Sequence, residues 1–193
     1  MTADLDRLAL RFDGVVYRAH HPGWAYQPTS GEGAERHGGR FNRKGLAALY
    51  TSLDINTAWM EAQQGFPFKA QPMTLVGYRV CCERIADLAD AVRLAAVGID
   101  PAELACAWED LASRGLRPPT WQFADSLIAA DFQGALVPSF APAPNPAPVQ
   151  ALRRNLVLWR WADGPPCSVS AIDDFGRLPN DATSWRQRSL TRC

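Results

Sequence analysis

Lysine is nearly missing from this chain. Lys44 and Lys69 are its two lysines among 20 basic residues, so almost all positive charge is arginine. A compositional bias would produce this, and so would a need for the planar, bidentate phosphate contacts that arginine makes and lysine does not. There is also no excess of either charge: 20 basic residues face 20 acidic ones. A general attraction to nucleic acid or to a membrane surface is therefore not expected. No apolar run approaches the roughly 20 residues of a membrane-spanning helix. Met1 to Arg11 is acidic at Asp4 and Asp6 and lacks the long apolar core of a signal peptide, so the expected location is the cytoplasm. The five cysteines are odd in number, and none lie in a Cys-x-x-Cys. Neither a disulfide framework nor a zinc site is expected, and no metal is called for. No internal repeat, phosphate-binding P-loop, dinucleotide fingerprint or Gly-x-Ser-x-Gly is present.

What remains is ordinary globular composition, with 47% apolar and 21% charged residues over 193 positions. One domain is expected over 1–193, with a core at about 14–162 and a tail at 163–193. Alternation predicts strands at Phe12–Ala19, Ala47–Thr51 and Met73–Cys82, with a further short one at Ile85–Leu88. Gly134–Val137 and Asn155–Trp161 read as two more. Residues 20–39, studded with glycine, read as a long functional loop. Ser52 or Asp54 is placed to cap a helix whose apolar stripe is Ile55, Ala58, Trp59 and Ala62, with Glu61 on its flank. A helical stretch follows at Ala89–Val97. Asp100-Pro101-Ala102-Glu103 has the form of a capping box, which predicts a helix running to Gly115. Another opens at Pro119-Thr120. Residues 138–148 carry five prolines and read as a polyproline-like loop. Strands and helices without regular alternation predict an α+β fold.

The chemistry-bearing residues follow one another along the chain. Arg18 ends the first strand at the mouth of the glycine-rich loop, where its fork could grip a pyrophosphate. Gly38-Gly39-Arg40 lets backbone approach a ligand closely. Tyr50 ends a strand, where its ring could stack on a planar cation. Glu61 could stabilise an oxocarbenium-like centre or orient a ribose hydroxyl, as carboxylates do in glycosidic cleavage. Ser139 could hydrogen-bond a carboxamide or ribose. Each also suits a plainer role: a surface ion pair, a simple turn, a core tyrosine, a solvated helix charge or a turn serine. His20, His21 and His37 all lie in the first loop, which leaves acid–base work on RNA, an RNase activity, as an alternative. A non-catalytic module using the proline loop as ligand is another.

The order of these pieces resembles the RES-domain family. The matching segments are Tyr17-Arg18, Ser30-Gly31-Glu32-Gly33-Ala34, Gly38-Gly39-Arg40-Phe41-Asn42, Leu49-Tyr50-Thr51-Ser52 and Ala58-Trp59-Met60-Glu61. Trp121-Gln122-Phe123-Ala124-Asp125, Gly134 to Ser139 and Asn155 to Leu158 continue the series. The resemblance implies an ADP-ribosyltransferase-like fold, with twisted, mostly antiparallel sheets around an NAD cleft and flanking helices. It implies a toxin of a bacterial type II toxin–antitoxin pair that attacks NAD+ as substrate. ADP-ribose would pass to a protein such as phosphoribosyl pyrophosphate synthetase, or to water or phosphate. By motif position the catalytic set is Arg18, Tyr50, Glu61 and Ser139. The NAD contacts are Arg18, Ser30, Gly39, Arg40, Tyr50 and Asn155. The implied partner is an Xre-like antitoxin that blocks the active site.

Overall fold

A computed structural model describes residues 5–63, 72–141 and 153–184. Two long strands organise it. β1 (Ala9–His20) and β3 (Thr74–Asp87) pair antiparallel from Ala9↔Ala86 to His20↔Thr74. A register shift between Leu10 and Phe12 marks a bulge, which lets so long a pair bend. Both strands exceed the lengths that alternation suggests. The Ile85–Leu88 stretch, expected as a separate strand, largely continues β3.

Four short strands complete the sheet: β2 (Leu49–Ser52), β4 (Gly134–Pro138), β5 (Arg154–Leu158) and β6 (Cys167–Ala171). β2 pairs with β5 and β5 with β4, both antiparallel, and β4 runs parallel to the end of β3. β1 meets β2 through Tyr17 and Ser52. These pairings close into a circuit of five strands, and β6 lies antiparallel on the free side of β3. The sheet is thus mostly antiparallel, as expected. β6 forms within the stretch expected as a tail.

Two clusters of buried side chains follow from the strand period. One draws on every strand of the circuit, including Val16, Leu49, Val76, Tyr78, Leu136 and Leu156. The other uses the opposite faces of β4 and β5, where Ala135, Val137 and Val157 meet Leu94, Leu104, Ala124 and Leu127. Those last four come from α3 (Ala91–Val97), α4 (Pro101–Leu104) and α6 (Pro119–Ala129). The observed class is α+β, with helices on one side of the β4–β5 surface.

Three expectations need correction. The loop at 20–39 contains a 3-10 turn at Pro22–Trp24 and a short helix, α1 (Glu32–His37). The Ser30 hydroxyl accepts from the Glu32 N–H, and Glu32 pairs with Arg36 one turn on, which supports a helix despite its glycine. The helix expected to run to Gly115 is split into α4 and α5 (Trp108–Ser113). Arg40 Nη1 donates to the carbonyls of Leu104 at 3.2 Å and Cys106 at 2.6 Å, and this tertiary clamp holds the chain out of helix between them. Finally, Cys82 and Cys167 are joined by a disulfide. They are cross-strand partners of β3 and β6, 85 residues apart in sequence, so register alone brings them together. Cys81 and Cys106 are free. Pro142 to Pro148 of the proline-rich stretch lie outside the described residues.

Gly134 of β4 lies directly against the β5 backbone. A Cβ there would stand 2.2 Å from the Val157 carbonyl oxygen and 2.7 Å from Leu158 Cδ2. Backbone cannot yield as a side-chain tip does. Gly134→Ala is therefore expected to destabilise the fold by at least about 3 kcal/mol, the upper range for overpacking. Denaturant melts should show a lower midpoint.

Candidate active site

The ends of β2 and β4 and the start of β5 come together at one edge of the sheet, and α2 (Ile55–Gln63), which packs on β1 and β2, brings Glu61 to them. Asp54 starts that helix. Its Oδ1 accepts from the Thr57 N–H at 2.8 Å and its Oδ2 from the Thr57 hydroxyl at 2.5 Å, so of the two caps the sequence offers, Asp54 is the one used. Arg153 ties the same turn to the sheet, donating from Nε to Thr57 Oγ1 and from Nη1 to the Ala141 carbonyl. The helix does not bury the stripe its sequence suggests. Ile55 is 47% and Trp59 37% exposed, while Thr57 and Ala58 are buried. Positions 57, 58 and 61 share one helical face, and turning that face inward carries Glu61 to the strand ends.

There Glu61 Oε1 accepts two hydrogen bonds. Ser139 Oγ, just past β4, donates at 2.7 Å, and Asn155 Nδ2, on β5, donates at 2.6 Å. The other end of the Asn155 amide, Oδ1, accepts from Ser52 Oγ at 2.7 Å. A carboxylate has no proton to give, so the amide NH2 must face Glu61 and its oxygen must face Ser52. Ser52 and Asn155 are also directly paired across β2 and β5.

Tyr50 and Arg40 border this network. The Tyr50 hydroxyl donates to Asn42 Oδ1 at 2.8 Å and accepts from the Phe41 N–H at 2.9 Å. Burial pushes its pKa above the usual phenol value, and Glu61 adds to the push. Its hydroxyl is thus spent on the turn at 39–42, and what it can offer a ligand is its ring. A Cβ on Gly39 would stand 2.6 Å from that hydroxyl, so the turn tolerates no side chain there. Asn42 Nδ2 in turn holds the carbonyls of Ala34 and Leu46. Arg40 lies over the Phe140 ring, 4.3 Å from guanidinium carbon to ring centre. Burial lowers its pKa, and Cys106 and then Glu61 oppose that shift. Arg40 therefore sits within electrostatic reach of Glu61.

Arg18 and Ser30 belong to a neighbouring corner. Arg18 Nη1 donates to the carbonyls of Ser30 at 2.8 Å and Pro28 at 3.2 Å. The Tyr78 hydroxyl also donates to Pro28. Burial lowers the pKa of Arg18, with Tyr78 acting the other way. A pocket of about 70 Å³ opens beside it, lined by Arg18, His20, Trp24, Gln27, Ser30 and Gly33. That is room for a group of a few heavy atoms. A larger cavity of about 420 Å³ lies elsewhere, beside Asp131, Arg160 and Pro166, and none of the expected site residues line it. The structure thus joins Glu61, Ser139 and Asn155 directly, places Tyr50 and Arg40 within electrostatic reach of Glu61, and holds Arg18 with Ser30 at the 28–33 loop.

The three histidines do not share one loop: His20 ends β1, His21 caps the 3-10 turn, and His37 belongs to α1. His20 Nδ1 lies 3.1 Å from the His21 carbonyl, which can only accept, so it carries the proton. His21 Nδ1 accepts from the Gly23 N–H. His37 is in the last turn of α1. Among the described residues no group of three or more His, Cys, Asp or Glu could hold a metal ion. No helix among them is long and apolar enough to cross a membrane. Sequence reasoning missed Ser52 as part of this site, although Ser52 closes the motif Leu49-Tyr50-Thr51-Ser52. It also missed Asn42 as the residue that shapes the turn before Tyr50.

The RES domain family model matches residues 15–181. No curated protein matches the chain. Among solved structures, a chain of the crystal structure of the M. tuberculosis MbcT–MbcA toxin–antitoxin complex is similar in fold, with a TM-score of 0.53 at 18% identity. The likeness covers 89% of this chain and 90% of that one.

Tyr50→Phe separates the two roles of this residue. It removes the hydroxyl and leaves the buried Asn42 oxygen and Phe41 N–H unpaired, at an expected cost of about 1–3 kcal/mol. The ring stays, so ligand binding by the folded variant should be retained. Thermal melting and calorimetric titration check the two halves.

Proposed function

The chain belongs to the RES domain family, and from that premise we propose that it is the toxin of a toxin–antitoxin pair that cleaves the nicotinamide–ribose bond of NAD+. The observation that carries this reading is the state of Glu61. Its carboxylate is held by two neutral donors, Ser139 and Asn155, so its geometry is set while its negative charge is left in place. A fixed negative charge suits a reaction in which positive charge develops. When the bond from ribose C1′ to nicotinamide nitrogen breaks, the electron pair leaves with nicotinamide, which becomes neutral, and the ribose carbon becomes cationic. An acceptor oxygen then bonds to that carbon and loses its proton.

In this scheme Glu61 stabilises the ribose cation. Preorganised charge aimed at a transition state is often the largest catalytic contribution. The Tyr50 ring stacks on the nicotinamide. Arg18 binds phosphate, since the two carbonyls it holds use one nitrogen of its five-donor fork. Arg40, beside Glu61, takes the ribose or a phosphate. Ser30 and Gly39 make further contacts to NAD+. The acceptor is a protein side chain, water or phosphate, and transfer to phosphoribosyl pyrophosphate synthetase is the protein-directed version. Such an activity in the cytoplasm requires a partner that restrains it, and an Xre-like antitoxin over the active-site rim is that partner.

Glu61→Gln keeps the shape and removes the charge. NAD+ turnover by the purified chain is expected to fall about 10²–10³-fold, the usual effect of losing one such electrostatic contact. Wild-type turnover in this variant would sink the assigned role.

The antitoxin should sit where aromatic anchors meet the rim. Trp24 is 41% and Phe140 37% exposed. They belong to the Arg18 pocket and to the Arg40 stack respectively, and aromatic residues are favoured anchors at interfaces. Hydrogen exchange of the complex should show protection around both, and calorimetry should show no NAD+ binding. A complex that binds NAD+ as tightly as the free chain means that restraint works elsewhere.

A further inference from the structure

We propose that Ser52 is a positioning residue of this site: through Asn155 it determines which oxygen of Glu61 is committed to the protein and which is left for the substrate. The inference rests on the NAD+ reading above and extends it to a residue that never touches the ligand.

Three observations carry it. First, Ser52 is 2% exposed and lies directly opposite Asn155 across β2 and β5, so its hydroxyl has a fixed place in the sheet. Second, that hydroxyl is not used to cap α2, since Asp54 does so; it is donated at 2.7 Å to the Asn155 carbonyl oxygen. Third, both donors to Glu61 end on the same atom. Ser139 Oγ and Asn155 Nδ2 converge on Oε1 at 2.7 and 2.6 Å, and Oε2 takes part in neither bond.

The chemistry runs in one direction along this chain. The Ser52 O–H donates to the amide oxygen, the amide N–H donates to Glu61 Oε1, and the Ser139 O–H donates to that same carboxylate oxygen. Aligned hydrogen bonds of this kind polarise one another. Without the Ser52 hydroxyl, a buried amide oxygen would have no donor. The amide would turn in search of one and carry its NH2 away from Glu61. The carboxylate would then be held by Ser139 alone and free to swing, so Oε2 would lose its aim at the ribose carbon. Misplacement by about an ångström costs on the order of a hundredfold in rate.

The test uses the full chain in its free form, with Ser52→Ala and Ser52→Thr. Threonine keeps the hydroxyl. Two readouts are taken: the side-chain amide signal of Asn155 by nitrogen–proton NMR, and kcat and KM for NAD+. The proposal expects the amide signal to move in Ser52→Ala and to stay in Ser52→Thr. It expects kcat to fall roughly tenfold to a hundredfold in Ser52→Ala, with KM within about twofold and near-wild-type kcat in Ser52→Thr. An unmoved amide signal in Ser52→Ala overturns it, whatever happens to melting temperature. So does a moved signal with unchanged kcat. If Ser52→Ala does not fold, Ser52→Cys, a weaker donor, takes its place in the same comparison. A wild-type chain that leaves NAD+ intact overturns the proposed function instead, and the amide signal then decides the Ser52 placement by itself.

Discussion

One carboxylate oxygen joins a helix to two strands of the sheet. Glu61 Oε1 takes a hydrogen bond from the end of β4 and another from the start of β5, while its own helix is anchored by Asp54, Thr57 and Arg153. A helix that would otherwise bury Ile55 and Trp59 instead turns Thr57, Ala58 and Glu61 inward. Thr57 and Ala58 are buried, and Glu61, half-buried, meets its two donors at the strand ends. Strand order supplies the rest. β4 and β5 are neighbours in the circuit and β2 lies beside β5, so Ser139, Asn155 and Ser52 reach one edge from positions far apart in sequence.

The near-absence of lysine acquires a structural meaning. Arg18, Arg40, Arg84, Arg93, Arg153 and Arg160 all donate to main-chain carbonyls. Loops and helix ends in this fold leave carbonyls without partners, and a planar five-donor fork can satisfy two of them at once while part of it faces elsewhere. Arg40 shows the consequence most clearly. Its clamp on Leu104 and Cys106 interrupts a helix and, in the same act, fixes a guanidinium beside Glu61. The exposed pairs Arg36–Glu32 and Arg114–Asp110 add little by comparison, since surface ion pairs contribute about 0–1 kcal/mol.

How much of this was legible in the sequence depended on range. Period-two alternation located β1 and β3, while β4 and β5, buried on both faces, read as short apolar runs. The motif order placed Glu61, Ser139 and Asn155 in one site, and the structure brings those three together. Local rules failed where tertiary partners intervened. The helix after Asp100 has a sound cap and still breaks, because Arg40 is 64 residues away from the first carbonyl it takes. The Cys82–Cys167 bond depends on the register of β3 with β6, which spacing does not encode. Ser52 read as a helix cap because serine before a helix usually is one; its true partner stands across the sheet.

The choice of donors around Glu61 separates positioning from neutralisation. An arginine bonded to this carboxylate would orient it equally well, but would also cancel much of the field it projects. Serine and asparagine orient it at no cost in charge. The nearby cation, Arg40, is kept off the carboxylate by its own commitments to two carbonyls and to the Phe140 ring. The same division appears at Tyr50, whose hydroxyl is tied to Asn42 and Phe41 so that the ring, and not an ionisable oxygen, borders the site. Neutral groups thus do the holding, which leaves the carboxylate for the ribose cation that the proposed cleavage would generate.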